Sequence, residues 1–201
     1  RLRSSDAEDH IPFFVRPPRS EARSDVAFLA PTFSYLAYSN EHNSWEGSPA
    51  IPEEERRKIF ESLSPEDRFT LETGLLSCYD HHRDGTGNCF VSRLRPIVNM
   101  RPYYDVGILD GPHQLGADLH ILDWLRSDGP EHDVITDEDL HEEGVDLLSR
   151  YRVVLTGTHP EYWSGPMLDA LEAWLDGGGR LMYLGANGFY WVTDPHPQRP
   201  S

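Results

Sequence analysis

Positive charge is scarce in this sequence: 18 Lys and Arg stand against 34 Asp and Glu, a formal charge of -16. That balance excludes sequence-independent binding to a phosphate backbone and docking on anionic lipid, since both need the opposite sign. Long apolar runs are lacking as well. The longest are strand-sized, too short to cross a bilayer. Cysteine is nearly absent. Cys78 and Cys89 lie eleven residues apart in no zinc-like spacing, so free thiols in a reducing cytoplasm are a simpler reading than a disulfide, and core packing suits both. No secretory leader is visible after Arg1, the chain does not open on Met, and Asp194 to Ser201 is proline-rich, so a piece of a longer polypeptide is expected.

What is present is the profile of a soluble globular protein, 38% hydrophobic and 26% charged. Residues 1–102 read as a β-rich, irregular segment, and residues 1 to about 50 of it carry prolines, serines and charges with few periodic apolar positions. Strands are expected at Val26 to Pro31 and again at Phe33 to Tyr38, divided by Pro31. Pro52 followed by three glutamates marks a helix over 52–62. Strand-like pieces between Leu75 and Met100 flank a polar turn, so this segment reads as β-rich and irregular. From Tyr103 the pattern becomes strand, helix, strand. Val106 to Leu109, Asp133 to Thr136, Arg152 to Thr156 and Arg180 to Leu184 are apolar on both faces. Helical spacing joins them through Leu115, Leu119, Leu122 and Leu125, then Val145, Leu148 and Tyr151, then Leu168, Leu171, Trp174 and Leu175. Such strands predict a parallel sheet covered on both sides, an α/β unit of flavodoxin- or glutamine-amidotransferase-like type over 103–193, with 194–201 as a linker or truncated end.

Ligands of an open α/β sheet collect at the carboxyl ends of its strands. Thr158-His159-Pro160-Glu161-Tyr162-Trp163 falls there. Pro160 favours an extended His159, which turns the side chains of His159 and Glu161 the same way. The pair either faces one cavity or merely caps the helix near Ser164. Gly185-Ala186-Asn187-Gly188 follows the last strand and holds no Ser or Cys, so covalent catalysis at this turn is not expected. Asn187 offers an amide donor to an oxyanion, or simply makes a left-handed turn. Tyr79 to Gly85 is rich in possible metal ligands but departs from a calcium loop in spacing, and a hydrogen-bonded polar turn is the plain alternative.

Between Phe28 and Thr193 the sequence resembles the large-subunit family of the N,N-dimethylformamidases. The resemblance rests on Tyr35-Leu36-Ala37-Tyr38-Ser39-Asn40-Glu41, on Tyr79-Asp80-His81, and on Arg93-Leu94-Arg95-Pro96-Ile97-Val98-Asn99-Met100-Arg101-Pro102. It rests further on Leu155 to Trp163 and on Gly177 to Trp191. It implies a mononuclear iron, expected as Fe3+, held by Tyr38, Tyr79 and Glu161, with His159 and Asn187 catalytic. Phenolate and carboxylate are hard anionic donors suited to ferric iron, and three protein ligands leave positions open for water and a substrate carbonyl. The implied activity is hydrolysis of the C–N bond of small amides, in a cytoplasmic enzyme that pairs large subunits with a small one and assembles further. A glutamate that the family uses nearer its C-terminus has no counterpart in this chain. Two other readings stand beside this one: a non-catalytic binding or scaffold relative, and a carbohydrate-associated α/β domain.

Overall fold

Val26–Ala30, Asp133–Thr136, Val153–Thr156 and Arg180–Met182 lie side by side in one four-stranded sheet. The computed structural model describes residues 1–6, 8–41, 52–82, 84–106 and 111–196. In chain order the strands are β1 (Leu2–Arg3), β2 (Glu8–Asp9), β3 (Val26–Ala30), β4 (Asp105–Val106), β5 (Gly111–Pro112), β6 (Asp133–Thr136), β7 (Val153–Thr156), β8 (Tyr162–Trp163), β9 (Arg180–Met182) and β10 (Trp191–Val192). The helices are α1 (Thr32–Ala37), α2 (Glu53–Ser62), α3 (Pro65–Thr73), α4 (Leu115–Ser127), α5 (Asp137–Glu143), α6 (Val145–Leu148) and α7 (Gly165–Asp176).

The sheet order is β6-β3-β7-β9 and every neighbour pair is parallel. Side chains alternate along β3: Ala27 and Leu29 join a core with α5 to α7, while Phe28 and Ala30 join one with α1 and α4. Both faces are therefore covered at β3, β6 and β7, which is why these strands read as unbroken apolar runs. The edge strand β9 leaves Arg180 and Met182 exposed, a departure from the expected full cover. Phe28 is fully buried, and its burial alone contributes about 1.5–3 kcal/mol. β3 and β7 are adjacent, and the chain leaves them toward opposite edges of the sheet. The crevice at their carboxyl ends is where α/β sheets place ligands.

Several expectations are corrected. Phe33 to Tyr38 is not a strand: residues Thr32–Ala37 form α1, whose Phe33 N–H is received by the Asp137 carboxylate at 2.9 Å. That buried partner satisfies an otherwise orphaned helix N-terminus, and local propensity cannot reveal it. The described residues of 75–102 are irregular, with an isolated bridge between His81 and Gly87, and are not β-rich. The sheet crosses the expected division at 102/103, because β3 pairs with β6 and β7. The strand expected at Val106 to Leu109 falls largely on 107–110, outside the described residues. Both cysteines are free, but Cys89 is exposed and packs in no core. No helix of the described residues is long and apolar enough to cross a membrane.

Candidate metal and catalytic site

Two loops that leave β3 and β7 meet over the crevice. After β3 the chain turns into α1, and Ser34 and Tyr38 fall one helical turn apart, hence on one face. Both grip Glu161. Ser34 Oγ accepts from the Glu161 N–H at 2.9 Å and the Tyr162 N–H at 3.2 Å, while the Tyr38 hydroxyl donates to Glu161 Oε2 at 2.6 Å. After β7 the chain bends at Thr158, and the Glu161 N–H closes a tight turn on the His159 carbonyl at 3.0 Å before β8, so the extended run expected around His159 is broken at Pro160. This segment is tied by the Trp163 indole N–H to the Pro160 carbonyl at 2.7 Å and by β10 pairing alongside β8. Gly157 has to be glycine: a Cβ there would stand 2.3 Å from Asp118 Oδ2 and 2.7 Å from Pro31 Cδ.

Tyr79 arrives from a third loop. The Cys78 N–H bonds the Ala37 carbonyl at 2.8 Å, and the buried Asp80 carboxylate accepts from the Ser77 N–H and hydroxyl, both at 2.7 Å. Arg95 joins this loop to the end of α1, donating to the Leu76 carbonyl on one side and to the Ser39 carbonyl and hydroxyl on the other. Asn99 and Asn40 complete the brace. Asn99 Nδ2 donates to the Tyr38 carbonyl and its Oδ1 accepts from the Asn40 N–H, each at 2.8 Å.

The result is a cluster of oxygens. The Tyr79 hydroxyl donates to the same Glu161 Oε2 at 2.8 Å, and the Tyr162 hydroxyl donates to that of Tyr79 at 3.1 Å. The rings of Tyr38 and Tyr79 stack at 4.3 Å. His159 Nδ1 lies 3.5 Å from Glu161 Oε2, and His159 Nε2 lies 3.3 Å from Asn187 Nδ2. Asn187 holds a left-handed φ of +52° and is exposed. Behind these groups stand His113 and Gln114, from the loop into α4. Burial raises the phenol pKa of Tyr38 and of Tyr79 well above the ordinary tyrosine range. The Glu161 hydrogen bond adds to this in both, while the bond between the two phenols works downward for Tyr38 and upward for Tyr79. Burial pushes the His159 pKa down, with the Glu161 charge opposing and His113 reinforcing, which favours the neutral imidazole.

Among the described residues no group of three or more His, Cys, Asp or Glu side chains could hold a metal. Tyr38, Tyr79 and Glu161 are a donor set of another kind. Their oxygens already lie 2.6 and 2.8 Å apart across Oε2, close to the spacing of roughly 2.8 Å between neighbouring oxygens around a small hard cation bound at about 2.0 Å. The set fits such an ion.

The family described as "N,N-dimethylformamidase beta subunit-like, C-terminal" matches residues 1–201. The chain belongs to this family. It is 46% identical over 200 residues to the N,N-dimethylformamidase beta subunit of Paracoccus aminophilus, and 44% identical to that of Alcaligenes sp. In each case the match covers 100% of this chain and 26% of the relative, so the chain spans about a quarter of their length.

Tyr38, Tyr79, His159, Glu161 and Asn187 thus come together in this dimethylformamidase-like chain from four separated stretches. The plain capping role weighed for Glu161 does not hold, since Ser164 alone supplies the side-chain cap of α7. The turn after Asp80 binds itself, the Asp84 carboxylate accepting from the Thr86 N–H and hydroxyl. Sequence reasoning missed Ser34, His113, Gln114, Asp118 and Tyr162. Two signals pointed to some of them: the i, i+4 spacing of Ser34 and Tyr38, and the polar pair His113-Gln114 just before a helix.

Proposed function

We propose that this chain carries the metal and catalytic residues of an amidohydrolase that cleaves the C–N bond of N,N-dimethylformamide or a similar small amide. The convergence of two phenols on a single carboxylate oxygen carries this reading. Tyr38, Tyr79 and Glu161 would hold a single iron as Fe3+. When bound, the ion supplies a Lewis acid that polarises an amide carbonyl and acidifies water. His159 and Asn187 flank the ligand oxygens on the open side of the cluster. His159 orients the attacking water, and the Asn187 amide donates to the developing oxyanion. The stack of the buried Tyr38 ring on the half-buried Tyr79 ring covers one side of the ligand oxygens.

The names of the relatives, beta subunits of N,N-dimethylformamidase, support the substrate class and assembly with other subunits; a small subunit and further copies of this chain are part of the proposal. The strand order, with the first strand inside the sheet, supports a flavodoxin- or glutamine-amidotransferase-like assignment. The unpaired thiols support a cytoplasmic setting. The test is metal analysis with a visible spectrum on the full-length protein, beside Tyr79→Phe. Near-stoichiometric iron and a tyrosinate charge-transfer band that weakens in the variant are expected, together with release of dimethylamine from dimethylformamide. A colourless protein that takes up no added iron would remove the metal-based reading.

A further inference from the structure

Asn187 reaches the site from a loop that is stitched to the residues around His159. The Ala186 N–H donates to the Thr158 carbonyl at 3.0 Å and the Phe189 N–H to the Pro160 carbonyl at 3.1 Å. The Tyr190 and Trp191 N–H groups both donate to the Glu161 carbonyl. The backbones run so close that Gly185 has no room for a side chain, since a Cβ there would stand 2.4 Å from Pro160 Cδ. Asn187 and Gly188 form the arch between these stitches. The Gly188 N–H donates to the Tyr183 hydroxyl, at 2.8 Å.

Tyr183 follows β9 directly, so it stands at the entry of the loop and Gly188 near its exit. The Tyr183 ring fills the space beside Gly188, where a Cβ would stand 2.4 Å from Cε2 and 2.7 Å from the hydroxyl oxygen. The same ring lies 5.9 Å from that of Phe189, which packs at 4.7 Å on the buried Trp163. Phe189 holds φ at +62°, a left-handed conformation that a bulky residue seldom adopts and that persists only where its surroundings over-determine it. One side chain thus closes the arch and rests, through Phe189, on the core beneath the site. The Asn187 side chain itself is exposed and meets His159 Nε2 at 3.3 Å. Packing does little to hold it, so its backbone sets its aim.

We propose, resting on the amidohydrolase reading of the site, that Tyr183 is the positioning residue that aims the Asn187 amide at the reacting carbonyl. Its hydroxyl fixes the peptide unit that joins Asn187 to Gly188, and its ring keeps the loop arched over Gly188. A donor to a developing oxyanion is effective when it is held in place beforehand, because nothing then has to reorganise as charge appears. Misplacement by roughly 1 Å can cost about 100-fold in rate.

The experiment uses the full-length protein with its partner chains and the variant Tyr183→Phe, which keeps the ring and removes the acceptor. Hydrogen exchange at the Gly188 amide should become at least about tenfold faster, because that N–H is left to water. In the iron-loaded variant kcat on dimethylformamide should fall about tenfold, with KM and iron content little changed, the pattern of an interaction made in the transition state. Tyr183→Phe is then placed in an Asn187→Ala background, whose own loss should be about 100-fold. A residue that acts through Asn187 has no further effect there, so kcat should change by less than about twofold. A tenfold loss that persists in that background overturns the proposal, and so does unchanged exchange or unchanged kcat in Tyr183→Phe alone. Absent turnover in the unsubstituted enzyme would instead remove the amidohydrolase reading, and the Gly188 exchange rate would then decide by itself whether Tyr183 holds the loop.

Discussion

Asp118 receives Thr158 twice, through the backbone N–H at 2.6 Å and through the hydroxyl at 2.7 Å, both on Oδ1. The Tyr35 hydroxyl donates to Oδ2 of the same carboxylate, which is fully buried in the first turn of α4. One side chain thus joins α4, α1 and the loop that begins one residue before His159.

Asp118→Asn keeps the volume but turns an N–H2 toward hydroxyl or amide donors that previously met an acceptor. A loss of roughly 2–3 kcal/mol in unfolding free energy is expected, since hydrogen bonds to a buried charge contribute about that much. Urea unfolding of the full-length protein measures it. Stability within experimental error of the unsubstituted protein would mean the contacts are dispensable.

Ser34→Ala removes the shared acceptor of the Glu161 and Tyr162 N–H groups. The part-buried Tyr162 N–H loses this acceptor, at about 1–3 kcal/mol before relaxation, while the Glu161 N–H keeps the His159 carbonyl at 3.0 Å. We expect lower thermal stability together with a weakened tyrosinate band, because the Glu161 backbone loses its tie to α1. A band of unchanged strength would show that β8 and β10 hold Glu161 by themselves.

Arg95→Met cuts the brace between the loops of Tyr38 and Tyr79 while keeping the apolar stem. Outer contacts of metal ligands typically shift metal affinity by about 10–100-fold, so iron retention against a chelator should fall by at least about tenfold. Equal retention in the variant would mean that Asn40 and Asn99 suffice.

Glu143 joins the N-terminal arm to the helices, accepting from Arg16 at 2.6 Å and from Arg150 at 2.7 Å. Burial pushes its pKa up, but the two arginine hydrogen bonds outweigh this and hold it below the ordinary value. A depressed folded-state pKa stabilises the fold above the unfolded value, near 4.3, and that contribution disappears as pH falls through the folded value. Glu143→Gln should therefore lose about 1 kcal/mol at neutral pH, discounted for partial exposure. The difference between variant and parent should shrink as pH drops below about 4. Melts across that range test it, and a difference that stays constant with pH would contradict the assignment.

The helix at α1 shows where sequence reading fails. Phe33-Ser34-Tyr35-Leu36-Ala37-Tyr38 is rich in strand formers and nearly all buried, so no polar face reveals a period of 3.6. What settles it lies about a hundred residues away, in the Asp137 carboxylate at its N-terminus. By contrast α7 was readable from Ser164, Pro166 and the glycines at its end, because capping and breaking act within a few residues. Tyr38, Tyr79, His159, Glu161 and Asn187 were found by likeness of long motifs. Asp118, Gln114 and Ser34 were not, since a Gln before a helix or a Ser within one looks ordinary until its partner is seen.

The sequence by itself determined the sheet strands, the capped helices and the excess of acidic residues, which follow from composition, local chemistry and periodicity, while likeness to a family pointed to the candidate site residues. Only the tertiary structure decided that Tyr38 and Tyr79 reach one oxygen of Glu161, that Arg95 and Asn99 brace them, and that Gln114 stands behind His159. Those facts depend on the parallel pairing of β3 with β7 in one sheet, which brings residues some eighty to a hundred and twenty positions apart within hydrogen-bonding distance, and no local propensity encodes that distance.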